Sequence, residues 1–144
     1  HWVAQPRPVD VRHVDLPTYF GGGPRSGQNL VWMRVPRALD DDPALHQRLL
    51  AYMSALSLLD NAVLPHGRNG RLGPVMVASI DHSLWFHRAL RADAWLLYVQ
   101  DSPAAAGARG FSRGTLFARD GTLVASVAQE GLLRLTRRAE DRSE

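Results

Sequence analysis

The sequence predicts an α+β fold in which an antiparallel sheet curves around one long central helix. Three observations predict it. The 144 residues suffice for one core, a single stretch has helical spacing, and the remaining apolar stretches alternate as strands do. A helix that is apolar around much of its circumference needs cover on most sides, and a curved antiparallel sheet supplies that cover.

Two short strand patterns precede the helix, separated by a glycine-rich stretch. Valines alternate with polar residues over residues 8–15, which is typical of an edge strand. Residues 17–28 contain Gly21-Gly22-Gly23-Pro24, a composition that favours a loop. The apolar run Leu30–Val35 predicts the second strand, which stops at Pro36.

The long helix is predicted to begin at Asp40-Asp41-Asp42-Pro43, because an Asp can cap the first turn and proline is tolerated there. Pro65 and Gly67 are the stop signals, and residues 68–74 are polar loop. Between start and stop, apolar residues recur every three or four positions. These residues are Leu45, Leu49, Tyr52, Leu56, Leu59 and Val63.

Four further strands follow the helix pattern, over residues 75–86, 95–101, 110–119 and 122–135. Asp120-Gly121 predicts a two-residue hairpin between the last two of them. The result is a pair of strands, one buried helix and then a meander.

The sequence divides into three parts on this interpretation. Residues 1–28 are a connector that carries the short edge strand, residues 29–136 form the folded domain, and residues 137–144 are a polar tail that we expect to be disordered. The chain begins at His1 without a leader, which indicates a processed or cut end with further sequence upstream.

Composition excludes several functional classes. Seventeen basic and fourteen acidic residues leave a net charge of +3, and the basic residues, all Arg, are scattered rather than clustered, which disfavours nucleic-acid binding. Without cysteine there is no thiol nucleophile or thiolate metal site, and a reducing compartment is permitted. No apolar run approaches the roughly 20 residues of a membrane helix. We expect a cytoplasmic protein with no nucleic-acid or membrane partner.

Polar side chains end two apolar rows of the predicted sheet. Gln129 follows Leu123, Ala125 and Val127 on one face of the last strand, because strand residues two apart share a face. Ser79 and Asp81 similarly end the row that begins at Val75. Such groups are either satisfied by hydrogen bonds in the core or face a pocket, and the residues alone favour the first reading.

Other catalytic motifs are not supported. Asp81-His82-Ser83 cannot form a serine relay if the three residues alternate along a strand, and there is no Gly-x-Ser-x-Gly elbow. The histidines show no metal-ligand spacing, so no metal is predicted.

A family resemblance is carried by several motifs together. They are residues 78–88 with Asp81-His82-Ser83, Trp95-Leu96-Leu97-Tyr98, residues 107–110, residues 120–131 with Gln129-Glu130-Gly131, and further back His46-Gln47, residues 49–54 and Leu64-Pro65-His66-Gly67. In these motifs the chain resembles the C-terminal half of bacterial acyl-CoA thioesterase II. The resemblance covers residues 8–135 and implies a hotdog fold, the second half of a double hotdog.

The resemblance also implies a catalytic set. In that family a helix Asp, a strand Ser or Thr and the Gln of the last strand bind and activate the hydrolytic water. Ser79 and Gln129 match the last two, but Ala55 in Ser54-Ala55-Leu56 stands where the family has Asp. A positioned carboxylate can take the proton of the attacking water, whereas a hydroxyl and an amide cannot at neutral pH. We therefore expect impaired hydrolysis.

Three explanations for Ala55 remain open. It is an engineered inactivating substitution, a natural loss in a binding paralogue, or an ordinary helix alanine with another carboxylate in compensation. Asp60 is a poor replacement, since five residues rotate it by about 140° around a helix. Asp81 shares the strand face of Ser79 and is the better supporting carboxylate.

The implied substrate is a fatty acyl-CoA, hydrolysed without a metal or organic cofactor. Arginine suits the phosphates of CoA, and the candidates are Arg88, Arg91, Arg109 and Arg113. The implied partners are the N-terminal hotdog half and further copies in a homo-oligomer. The alternative is a non-catalytic half that binds acyl-CoA or serves assembly.

Overall fold

A computed structural model of the chain describes residues 8–16, 27–66 and 75–135. Within these ranges seven strands form one antiparallel sheet in the order β1-β2-β5-β6-β7-β3, and β4 also pairs with β7. The helices are α1 (Pro43–Ser54) and a 3₁₀ helix (Leu59–Ala62). The strands are β1 (Asp10–His13), β2 (Asn29–Arg34), β3 (Val75–Ser79), β4 (Ser83–Phe86), β5 (Leu96–Ala106), β6 (Arg109–Ala118) and β7 (Leu123–Leu135).

The predicted α+β architecture is confirmed, with the helix on the inner face of the sheet. Leu50 and Met53 of α1 are fully buried, and they belong to one apolar core with the inward side chains of β2, β5, β6 and β7. Those inward residues include Val31, Met33, Tyr98, Leu116 and Val127. Strand β1 lies at one end of the sheet, as the valine alternation predicts. In the described ranges no helix has the length and apolar character needed to span a bilayer.

The start of the helix is also confirmed. Asp42 is the N-cap residue, and its side-chain oxygen accepts a hydrogen bond of 2.9 Å from the backbone N–H of Ala44. Pro43 occupies the first turn, where its missing N–H costs no intrahelical bond.

The prediction of one continuous helix to Val63 is wrong, because α1 ends at Ser54 and the chain continues through turns into the 3₁₀ helix. Side chains take the carbonyls that a longer α-helix would use. The Tyr98 hydroxyl donates to Ser54 O at 3.2 Å, and Asn61 Nδ2 donates to Ser57 O at 3.2 Å. The backbone N–H of Ala55 instead bonds one residue nearer than in an α-helix, to Tyr52 O at 3.3 Å.

Two glycines allow the 3₁₀ helix to lie directly on the sheet. Gly110 on β6 and Gly131 on β7 are register partners. A Cβ atom at Gly110 would collide with the Cβ of Ala62, and one at Gly131 would collide with the side chain of Leu59. Because these two glycines have no side chains, residues 59–62 pack directly against the strands that carry the predicted site.

Three strand predictions differ from the structure. The stretch 75–86 is two strands separated by residues 80–82. Strand β5 continues past Pro103 to Ala106, with a register shift between Asp101 and Ala104 that accommodates the proline. The β6–β7 turn is longer than two residues: Ala118 N–H bonds to Thr122 O at 2.9 Å, and Gly121 has φ 88°.

Some predictions concern residues that the structure does not describe. The glycine-rich loop falls outside the described residues except for its last two positions, and so do the whole loop of residues 68–74 and the whole polar tail. The division into connector, domain and tail stays a prediction.

Candidate active site

Gln129 and Ser79 lie together on the inner face of the sheet. Ser79 pairs in register with Gly131, two residues from Gln129 on the neighbouring strand. Gln129 Nε2 donates a hydrogen bond of 2.6 Å to Ser79 Oγ. Gln129 is only 1% exposed, while Ser79 lies at the surface. Because Ser79 Oγ accepts from the amide, its own O–H remains able to donate to a water or a carbonyl oxygen.

The other end of the Gln129 amide points into the interior. Gln129 Oε1 is buried, and so is Ser112 Oγ on the register partner of Gln129; neither has a hydrogen-bond partner among the described residues. The sequence predicted that Gln129 ends an apolar row, and Ser112 extends the polar part of that row onto β6.

Ala55 is the C-cap residue of α1 and is exposed. Its position is tied to the strand end by the residue before it. Ser54 Oγ lies 2.9 Å from Nε2 of His82, which is three residues beyond Ser79. The helix C-terminus, Ser79 and the following connection therefore belong to one local assembly.

Ser54 and His82 have the distance of a nucleophile and its base, but not the accessibility. Ser54 is 0% exposed, and its hydroxyl donates to Ala51 O at 3.1 Å. A nucleophile has to reach its substrate. This pair is therefore structural in the described fold, and the sequence offered no periodic signal for a contact between residues so far apart.

Asp81, the predicted supporting carboxylate, lies in the connection between β3 and β4. Its Oδ1 accepts a hydrogen bond of 2.7 Å from the backbone N–H of Glu130. The alternation argument for residues 81–83 does not apply, since Asp81 and His82 are outside both strands.

A buried amide cluster beneath the 3₁₀ helix was not predicted. Gln100 Oε1 accepts from Asn29 Nδ2 at 3.0 Å and from Asn61 Nδ2 at 2.9 Å, and Gln100 Nε2 donates to Ser57 Oγ at 2.7 Å. All four side chains are buried. The cluster fixes the segment after α1 onto β2 and β5. In the sequence, only the alternation of β5, which points Gln100 inward, could have suggested this cluster.

A family model described as acyl-CoA thioesterase matches residues 3–132 of the chain. The chain belongs to the acyl-CoA thioesterase family. Acyl-coenzyme A thioesterase 8 of Mus musculus is 38% identical over 133 residues, which make up 92% of this chain and 41% of the mouse protein. Acyl-CoA thioesterase 2 of Haemophilus influenzae is 35% identical over 133 residues, or 92% of this chain and 46% of that protein. This member of the family thus spans less than half the length of these relatives.

Similarity to solved structures confirms the hotdog fold. The acyl-CoA thioesterase II TesB2 of Mycobacterium marinum has a TM-score of 0.75 and 42% identity, covering 92% of this chain and 55% of that one. A protein of Alicyclobacillus acidocaldarius described as having a hot dog fold has a TM-score of 0.65 at 17% identity, covering 90% of this chain and 47% of that one.

The four arginines predicted for substrate binding occupy two regions of this thioesterase fold. Arg109 and Arg113 lie on β6 at positions alternate to the inward Ser112, and they pair with Glu130 at 3.5 Å and Asp101 at 2.8 Å. Their side chains are therefore on the sheet face opposite to Gln129. The role of both in substrate binding stays a prediction.

The other two arginines follow β4. Arg91 donates to both carboxylate oxygens of Asp93, at 2.9 and 2.8 Å, and also to Asp41 and to Leu39 O. Arg88 donates to Leu123 O at 3.1 Å and has no carboxylate partner among the described residues. Of the two, Arg88 retains more capacity for an anionic ligand.

Proposed function

We propose that this chain is the hotdog half of an acyl-CoA thioesterase that hydrolyses fatty acyl-CoA to a free fatty acid and CoA, with hydrolysis impaired by Ala55. The observation that carries the proposal is the 2.6 Å hydrogen bond from the buried Gln129 to the exposed Ser79 on the inner face of the sheet. Membership of the family supports the reaction type.

The chemistry has a clear requirement. Water attacks the thioester carbonyl carbon, the C–S bond breaks, CoA leaves as a thiolate and a base takes the proton of the water. The exposed Ser79 hydroxyl, which accepts a hydrogen bond from Gln129, can orient the water or stabilise the developing oxyanion by donating its own proton. Neither accepts the proton at neutral pH, and a positioned general base typically contributes about 10²–10⁴-fold.

A second hotdog half is part of the proposal. Ala55 and Ser79 are exposed in this chain, and large apolar side chains beside them are exposed as well: Tyr52 is 51%, Leu56 45% and Ile80 51% exposed. Strands β3 and β4 end the sheet on this side, which leaves a backbone edge for pairing. An adjoining half would cover these side chains and enclose the site around Ser79. Homo-oligomerisation and a cytoplasmic location belong to the same proposal.

The substrate part of the proposal assigns the CoA phosphates to arginines. Arg88 is the favoured candidate, because Arg91, Arg109 and Arg113 already have carboxylate partners. No metal or organic cofactor is part of the proposed reaction: water is the nucleophile, and the step that Ala55 impairs is the removal of its proton.

The alternative is a half that binds acyl-CoA or serves assembly without turnover. Ala55 favours it, because the described site holds no carboxylate at that position. Tight acyl-CoA binding without CoA release would support the binding role, and stable association without acyl-CoA binding would support the assembly role.

The test measures CoA release from a medium-chain acyl-CoA by the chain and by Ala55→Asp, each combined with the other hotdog half. Ala55→Asn is the matched control, since an Asn side chain has nearly the same size as Asp but no charge. Hydrolysis that appears only with Ala55→Asp supports the proposal. Equal rates in all three proteins would make position 55 incidental, and no hydrolysis in any would favour the binding or assembly role.

A further inference from the structure

The connection between β3 and β4 holds two elements of the site at once. Asp81 and His82 follow Ser79 in the chain, and their side chains contact different parts of the fold. Asp81 Oδ1 accepts from Glu130 N–H on β7 at 2.7 Å, and His82 Nε2 lies 2.9 Å from Ser54 Oγ on α1. Each contact is made to the residue next to a predicted site position.

The contact to β7 is reinforced by the backbone. Ile80 N–H and Asp81 N–H lie 2.9 and 3.3 Å from Glu130 O. Both backbone groups of Glu130 therefore bond to this connection. Glu130 lies within β7. The side chain of Gln129, the residue before it, is hydrogen-bonded to Ser79.

The direction of the contact to α1 is assigned from the other hydrogen bond of Ser54. The Ser54 hydroxyl has one proton, which it donates to Ala51 O at 3.1 Å, and we therefore assign His82 to the tautomer whose Nε2–H donates to Ser54 Oγ. Ser54 O also accepts from the Tyr98 hydroxyl at 3.2 Å. Ser54 is thus held at its side chain and at its carbonyl, and Ala55 follows it at the helix end.

We propose that Asp81 and His82 are positioning residues that hold Gln129 and position 55 at fixed places relative to Ser79. The inference rests on the proposed function. Asp81 acts as a hydrogen-bond acceptor for Glu130 N–H, and His82 acts as a donor to Ser54 Oγ. Neither takes the proton of the attacking water.

Amide substitutions at Asp81 and His82 can distinguish positioning from proton transfer. The Oδ1 atom of Asn can accept from Glu130 N–H as Asp81 does, and the Nε2 group of Gln can donate to Ser54 as His82 does. Neither amide can act as a general base at neutral pH. Amide variants should therefore preserve the function of both positions if they only position the site.

The experiment uses Ala55→Asp, combined with the other hotdog half, as the parent enzyme. Asp81→Asn and His82→Gln are expected to keep kcat within about threefold, whereas Asp81→Ala and His82→Ala lower kcat by about 10–100-fold with little change in KM, since a misplacement of about 1 Å can cost 10²-fold. Ser83→Ala, at the exposed neighbouring position, is the control and should be unchanged. If Asp81→Asn loses as much as Asp81→Ala, the inference is overturned and the carboxylate itself is required.

Amide hydrogen exchange of Glu130 gives a second readout that does not depend on turnover. Exchange should be faster in Asp81→Ala than in the parent and nearly unchanged in Asp81→Asn. Equal exchange in Asp81→Ala and the parent would overturn the contact. An absence of hydrolysis in the parent would instead overturn the proposed function, so the two failures are distinguishable.

Discussion

Gln129 on β7 donates a hydrogen bond of 2.6 Å to Ser79 on β3, and the two side chains differ in exposure. Gln129 is buried and Ser79 is at the surface. When Ser79 is replaced by Ala, water can replace the hydroxyl as the acceptor for Gln129 Nε2. A substitution at Ser79 therefore tests its contribution to hydrolysis separately from its contribution to the stability of the fold.

Ser79→Ala in the Ala55→Asp parent is expected to lower kcat by about 10²–10³-fold, as the loss of one oxyanion donor does. The free energy of unfolding should change by less than about 0.5 kcal/mol, since the site is exposed. Steady-state kinetics and urea unfolding measure the two effects. Ser83→Ala is the control on the same sheet edge, and an unchanged rate in Ser79→Ala would contradict the assigned role.

Ala55→Asp is expected to destabilise the fold while it restores hydrolysis. Position 55 is the C-cap of α1, where the helix dipole is negative, and a carboxylate there costs about 0.3–1 kcal/mol. Urea unfolding at low salt should show this loss, and added salt should reduce it. Ala55→Asn controls for side-chain size. Equal stability of the Asp and Asn variants at low salt would argue against the dipole effect.

Gly110→Ala is expected to destabilise the chain by about 1–3 kcal/mol, the usual cost of overpacking a core. The new Cβ would collide with the Cβ of Ala62, which the 3₁₀ helix holds in place. Ala62→Gly removes that atom, so the double variant should regain part of the stability lost by Gly110→Ala. A double-mutant cycle in urea measures this coupling. Strict additivity of the two changes would show that the atoms do not meet.

Asp93 is expected to make stability depend on acid pH. The Arg91 guanidinium, which donates two hydrogen bonds to Asp93, holds the pKa of that carboxyl well below its usual range. Leu39 N–H also donates to Asp93 at 2.9 Å. Because the pKa is lower in the folded chain than in the unfolded one, the stabilisation is fully present above the unfolded pKa of about 4 and is lost as the pH falls through the folded pKa.

The measurement for Asp93 is urea unfolding between about pH 5 and pH 2. The free energy of unfolding of Asp93→Asn should fall less steeply with acid than that of the original chain. Its stability at neutral pH should already be lower by up to about 1 kcal/mol, because the charge that pairs with Arg91 is removed and one of its acceptor oxygens becomes a donor group. Asp40→Asn, which removes a charge from the same region, is the control. Parallel acid profiles for Asp93→Asn and the original chain would contradict the assignment.

The local sequence pattern was sufficient to predict features that depend on residues close together in the chain. Asp42 caps α1 as predicted, because its acceptor and the N–H it bonds are two residues apart. The inward direction of Gln129 follows from strand parity alone. The family motifs likewise predicted the hotdog fold, but they could not show which partners each side chain contacts.

The sequence by itself determined which residues alternate, where the helix starts and that position 55 lacks a carboxylate. Only the tertiary structure decided where the helix ends, since Tyr98 takes the carbonyl of Ser54 from 44 residues away. It also decided that Asp81 bonds to Glu130 and His82 to Ser54, across 49 and 28 residues. Periodicity describes the direction of a side chain relative to its own element, whereas these contacts depend on strand register and on packing between elements.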